Sequence, residues 1–239
     1  MFDLPDTYRV DVKVALKEFI PKALKPNDKK RIKDAVKSVR LDYQIAGEEI
    51  PSVNNGEYRC QVIQFYDIEV TDIKEANFLA SKYQNIIKPL CVLHIHDTQD
   101  ELYSMAIKRL SQIDDMQIIV EHTLLSDKYM LGIPDGNRDR FMAYMNYATV
   151  KNKIDKVQLY KEWFYKAYMV VNEKAYIHTD KLLDGNTWYD SDRTARICQK
   201  YVELVTSRGK LKTAVTNAER MKINKEIKAE IQALDREEL

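Results

Sequence analysis

A chain of 239 residues, 45% of them hydrophobic and 31% charged, can bury a real core as one large domain or two modest ones. Its 38 Lys and Arg stand against 37 Asp and Glu, so no global charge directs it to nucleic acid or membrane. Cys60, Cys91 and Cys198 are odd in number and far apart, which fits neither a disulfide framework nor a CxxC metal site and points to a reducing cytoplasm. No run approaches about 18 apolar residues, and the opening MFDLPDTYRVDVK lacks a basic and then apolar leader, so a soluble cytoplasmic protein is expected.

In chain order, residues Asn27–Val39 read as a helix. A capping Asn or Asp opens it, and Ile32, Ala35, Val36 and Val39 recur at helical spacing. Strand-like residues follow over Arg40–Ala46, then a turn-rich break at Pro51–Gly56. Tyr58–Thr71 is the clearest strand, with Val62, Tyr66, Ile68 and Val70 largely on one face. Asp72–Lys88 reads as a helix stopped by Pro89, and Leu90–His96, Leu102–Leu110 and Met116–His122 as strands. This β-α-β-β-β order predicts an α+β fold, a mixed sheet with helices on one side.

The turn residues Gly132, Pro134, Asp135 and Gly136 mark a boundary between an α+β domain over residues 1–135 and a helical region over 136–239. Helices are expected there over Asp139–Thr149, Lys156–Val171 and from Asp190 or Ser191 to about Ser207. Lys210–Leu239 contains no Gly or Pro and reads as one long helix with two apolar stripes. Leu211, Val215, Ala218 and Met221 form one; Ile223, Ile227, Ile231 and Leu234 form the other, roughly opposite. Unless the helix bends near Lys222, the second stripe lies in water and calls for a partner or a second copy. Those four residues are the expected partner-binding strip.

Chemical signatures are sparse. His94 and His96 lie two apart on a strand and share a face, and with Asp97 and His122 they form a candidate metal set. Without HExxH or spaced cysteines, two polarisable side chains on a half-exposed strand is the preferred reading, and neither a metal nor a cofactor is expected. Asp67 and Glu69 also share a face, as paired carboxylates do in magnesium-dependent nucleases, with Lys108 the nearest strand lysine. An exposed strand face explains them as well. The stretch from Lys22 to Arg40 concentrates Lys22, Lys25, Lys29, Lys30, Arg31, Lys33, Lys37 and Arg40 against Asp28 and Asp34, a candidate phosphate-tracking surface. There is no GxGxxG, Walker A, GxSxG or DFG motif.

The order of several short motifs resembles the uncharacterised bacterial family catalogued as domain of unknown function 4391. Met1–Pro5 and Ile20–Lys22 are similar to its start, and Leu41–Pro51 to its following strand and turn. Gln64, Asp67 and Glu69 fall on its polar-alternating strand, Ala106–Arg109 on its later lysine-bearing strand, and Glu219–Leu234 on its helical ending. His94 and His96 stand where family members look mainly apolar, so no metal role is carried across. Members tend to be encoded beside helicase and DNA-methyltransferase genes of defence or restriction-like clusters. The resemblance therefore implies an accessory or adaptor protein of such a system, more a binder than an enzyme. Its expected partner is a protein, such as the helicase or methyltransferase, or a second copy, with nucleic acid contacted through Lys22, Lys25, Lys29, Lys30, Lys33, Lys37 and Arg40; no membrane is expected. The alternatives are a divergent metal-dependent nuclease using Asp67, Glu69 and Lys108, and a purely structural homo-oligomer.

Overall fold

Val36 and Val39 were eligible for a helix or a strand, and tertiary pairing decides for the strand. In the computed structural model, which describes residues 1–22, 24–114 and 117–238 (the last by its backbone alone), helix α2 (Pro26–Ala35) ends where strand β2 (Val36–Ile45) begins. Two β-branched residues favour the pleated surface, and Thr71 N–H bonds the Ala35 carbonyl at 2.8 Å to fix the exit. Ahead of α2 come β1 (Arg9–Lys13) and the short α1 (Leu16–Phe19). After β2 come the small hairpin β3 (Val53–Asn54) and β4 (Arg59–Cys60), then β5 (Ile63–Val70), α3 (Ala76–Ile86), β6 (Leu90–His96), β7 (Asp100–Leu110), β8 (Ile118–Leu125) and β9 (Tyr129–Met130). The expected strand over Met116–His122 corresponds to β8; Met116 itself lies outside the described residues.

The sheet runs β1-β2-β5-β6-β7-β8, with β9 also on β7. Among the described residues only β5 and β6 pair in parallel, joined by α3 as crossover; the other pairs are antiparallel. Side-chain alternation gives the sheet two faces, and both are covered. On one, Ile68, Val70, Leu93 and Ile95 pack with Ile32 of α2 and Leu79 and Tyr83 of α3. On the other, Phe65 and Tyr103 meet Phe2, Phe141 of α4 (Gly136–Met145) and Trp163 of α5 (Lys156–Val171) in an aromatic cluster with centroid separations of 5.4 to 6.5 Å. Helices on one side only is therefore corrected: the near-continuous burial along β6 and β7 reflects a sheet covered on both faces. Among the described residues no strand follows Met130, as expected for the helical half.

The chain divides into two compact units, Met1–Ala167 and Tyr168–Leu239, so the break falls inside α5 and not at the Gly132–Gly136 turn. The second unit holds α6 (Thr179–Asp184), α7 (Ser191–Thr213) and α8 (Asn217–Glu238). Helix α7 passes straight through Gly209, and the long C-terminal helix begins only at Asn217; Leu239 lies outside the described residues. What stops the chain at Ala214–Thr216 is a cap. Glu219 N–H donates to Thr216 Oγ1 at 3.2 Å, while the Glu219 carboxylate accepts from Val215 N–H at 3.2 Å. This Thr-x-x-Glu arrangement satisfies one free donor of α8, the Glu219 amide, and ties the residue ahead of Thr216 back to the first turn. Thr216→Ala is expected to cost about 1 kcal/mol and to fray the first turn of α8, read as faster amide exchange at residues 217–220 than in the wild type.

Beyond that cap α8 returns along α7, with Ser207 Oγ bonding Glu230 Oε1 at 2.8 Å and Arg193 reaching the Glu237 carbonyl. The apolar strip changes its meaning accordingly. Ile223, Ile227 and Leu234 are buried, Leu234 completely, and Ile231 is half-buried. Val215 and Met221, of the other stripe, are 87% and 74% exposed. The expected strip in water is thus core of the hairpin, because the turn comes before Asn217 and not near Lys222.

Candidate functional site

The parallel pairing of β5 and β6 sets Asp67 opposite His94 and Glu69 opposite His96, and the antiparallel pairing of β6 and β7 sets His96 opposite Glu101. Five-residue stretches that are unremarkable in sequence thereby become one polar cluster at the carboxyl ends of the two parallel strands, a usual position for sites in open sheets. Asp67 Oδ1 lies 2.7 Å from His94 Nδ1, and Asp67 Oδ2 lies 3.3 Å from His96 Nε2. His94 Nε2 lies 2.7 Å from Glu101 Oε2, and His96 Nδ1 lies 3.2 Å from the Asp97 carbonyl. Behind Glu101 stand Arg138, from the first turn of α4, and the Tyr103 hydroxyl at 3.2 Å. The His94 ring is stacked between His96 at 5.0 Å and Tyr103 at 4.8 Å. One ligand atom each from Asp67, His94 and His96 fall within 4.8 Å of one another.

The electrostatics follow from partial burial. Glu101 is 2% exposed, His94 17%, His96 23% and Asp67 25%. Burial works against the Asp67 carboxylate, but hydrogen bonds from both histidines outweigh it and hold its pKa well below the usual range. Burial likewise opposes ionisation of Glu101, and His94 and Arg138 outweigh it and bring the carboxyl to about 2. Burial lowers His94, yet its bonds to Asp67 and Glu101 raise it on balance; His96 is raised chiefly by Asp67. Nearby on β2, in the irregular pairing between Leu41 and Tyr43, Asp42 is raised by burial and by the Asp67 charge.

The sequence-expected sets separate. His94 and His96 do share a face, but their partner is Asp67: the Asp97 carboxylate accepts instead from the Ile73, Gln99 and Asp100 amides, and His122 sits on β8. Glu69 is bonded by Lys37 and Ser38. Lys108 does not join Asp67 and Glu69. Its ammonium lies on the other face of the sheet, buried against the Ile87 and Pro89 carbonyls at 2.7 and 3.1 Å, where it completes the end of α3. Of the basic set, Lys22 and Lys25 lie before α2, Lys29, Lys30 and Lys33 on it, and Lys37 and Arg40 on β2. Lys37 pairs with Glu69, Arg40 with Asp11 and Arg31 with Glu75, so carboxylates answer the β2 end of the set and Arg31, while Lys29 bonds the Lys22 carbonyl. Nothing local in the sequence marks Glu101 or Arg138: strand register brings in the first and the placement of α4 the second.

The second unit carries a different feature. From Arg208 to Lys228 the hairpin end holds seven Lys and Arg against two acids, Glu219 and Glu226, and Glu219 is occupied by the cap. Lys210, Lys212, Lys222, Lys225 and Lys228 are exposed and carry no ion pair among the described residues. On α8 the last three share the side opposite Ile223 and Ile227.

No helix of the described residues is long and apolar enough to cross a membrane. No curated protein and no solved structure matches the chain. A family model described as a domain of unknown function (DUF4391) matches residues 2–234, and the protein belongs to that family.

Proposed function

We propose that this chain is a binding protein, an accessory component of a restriction-like or defence assembly, that contacts nucleic acid through the basic end of its α7–α8 hairpin. The assembly is the setting that the family resemblance implies; the nucleic-acid contact rests on one observation. Five exposed lysines, Lys210, Lys212, Lys222, Lys225 and Lys228, gather toward one end of the α7–α8 hairpin with no carboxylate pairing them among the described residues. In a chain whose charges balance overall, such a patch is a local concentration of positive charge open to phosphates. The basic stretch Lys22–Arg40 ranks second, because three of its eight cations, Arg31, Lys37 and Arg40, are answered by Glu75, Glu69 and Asp11, and Asp28 and Asp34 lie among the rest.

Titration of fluorescent duplex and single-stranded DNA at increasing salt tests this. Binding should weaken steeply, and each of Lys222→Glu, Lys225→Glu and Lys228→Glu should lower the log–log salt slope by about 1. Lys30→Glu with Lys33→Glu on α2 should change it little. Absence of binding at low salt, or binding lost through the α2 changes alone, would sink the proposal.

A further inference from the structure

We infer that Asp67, His94 and His96 form a binding site for one divalent first-row transition-metal ion, held by Asp67 Oδ, His94 Nδ1 and His96 Nε2. Three features carry it. The three atoms come from neighbouring strands of one sheet and lie within 4.8 Å of one another. Ligands about 2.1 Å from a tetrahedral ion stand roughly 3.4 Å apart. His96 Nε2 lies 3.3 Å from Asp67 Oδ2 and His94 Nδ1 lies 2.7 Å from Asp67 Oδ1, so each ring faces its own carboxylate oxygen and a small shift of the carboxylate admits an ion among the three groups.

The second feature is what lies behind the rings. His94 Nε2 faces the Glu101 carboxylate, and His96 Nδ1 faces the Asp97 carbonyl. Both partners are acceptors, so each ring keeps a proton on its far nitrogen. The lone pairs of His94 Nδ1 and His96 Nε2 are then the ones aimed at Asp67. Two neutral rings pointing lone pairs at a carboxylate repel it, so that inner space takes either a proton on each ring or one cation shared by all three groups. A carboxylate or carbonyl behind each ligating imidazole is the arrangement that fixes tautomer and ring orientation in metal centres. Arg138 and Tyr103 hold Glu101 in turn, and Tyr103 stacks on the His94 ring, so the set is pre-positioned.

The third is the donor set. Two imidazoles and one carboxylate select zinc, iron(II), cobalt(II) or nickel(II) over magnesium or calcium, which prefer all-oxygen shells. Three protein ligands leave at least one position open, and Asp67 and His96 are exposed enough for a water or small ligand to occupy it.

The full chain, stripped with chelator, should take up one equivalent of Zn2+ or Co2+ on dialysis, counted by mass spectrometry, with Co2+ giving visible d–d absorption. Excess Mg2+ should not displace it. Asp67→Ala and His96→Ala should abolish uptake, Glu101→Gln should weaken it about 10–100-fold, and His122→Ala should leave it unchanged. Circular dichroism confirms that each variant is folded, and the wild-type uptake itself needs no variant. No uptake by the wild-type chain in excess Zn2+ overturns the inference, as does uptake that survives both Asp67→Ala and His96→Ala. These readouts do not involve nucleic acid, so the site stands or falls apart from the hairpin proposal.

Discussion

Ile227→Asp combined with Leu234→Asp is expected to unfold the second unit. Both side chains are buried in the α7–α8 hairpin, and each large aliphatic gives up roughly 1.5–3 kcal/mol when removed from the core. The introduced carboxylates add the cost of charges with no buried partner, several kcal/mol more. The sum rivals the about 5–15 kcal/mol by which whole domains are stable. Circular dichroism should lose the signal of α7 and α8, and proteolysis should attack residues 191–238. The mirror experiment is equally informative. Val215→Asp with Met221→Asp touches only exposed side chains and should move stability by no more than about 0.5 kcal/mol. If the first pair left the melting temperature untouched while dispersing an oligomer, the strip would be an interface after all.

Glu101→Ala should destabilise the first unit by about 3 kcal/mol or more, since it strands His94 and Arg138 beside an emptied, buried position. It should also change how stability depends on pH. Asp67 and Glu101 have folded pKa values below their unfolded ones, so their contribution is fully present above the unfolded values near 4 and is lost as pH falls, for Glu101 through about 2. His94 and His96 have raised folded values. Their contribution is fully present below the unfolded value near 6.5 and is lost as pH rises through the raised one. Asp42 is raised and works against the carboxylate trend in the mildly acidic range. The cluster therefore stabilises most between about pH 4.5 and 6.5. Urea unfolding across pH should show a metal-free maximum there, and Glu101→Ala should flatten both flanks. An unchanged profile in the variant would mean that the network contributes nothing to stability.

The strands β5, β6 and β7, the crossover helix α3 and, among the described residues, the lack of strand beyond Gly136 were all legible in the chain, because periodicity and the Pro89 stop act over a few residues. The end of α7 is also written locally, in Thr216-x-x-Glu219, although no Gly or Pro marks it: helix ends follow from capping chemistry as well as from breakers. The even alternation of Asp67 with Glu69 and of His94 with His96 correctly put each pair on one face. Three things only the tertiary structure decided. Strand register chose Asp67 and Glu101 as the partners of the histidines and sent Lys108 to the opposite face, because pairing joins residues 27 and 7 positions apart that no local pattern links. Helix α4 supplied Arg138 from farther still, 37 positions from Glu101. The return of α8 along α7 turned a strip that looked bare in a single straight helix into core, since whether an apolar stripe is exposed depends on what packs against it and not on the stripe.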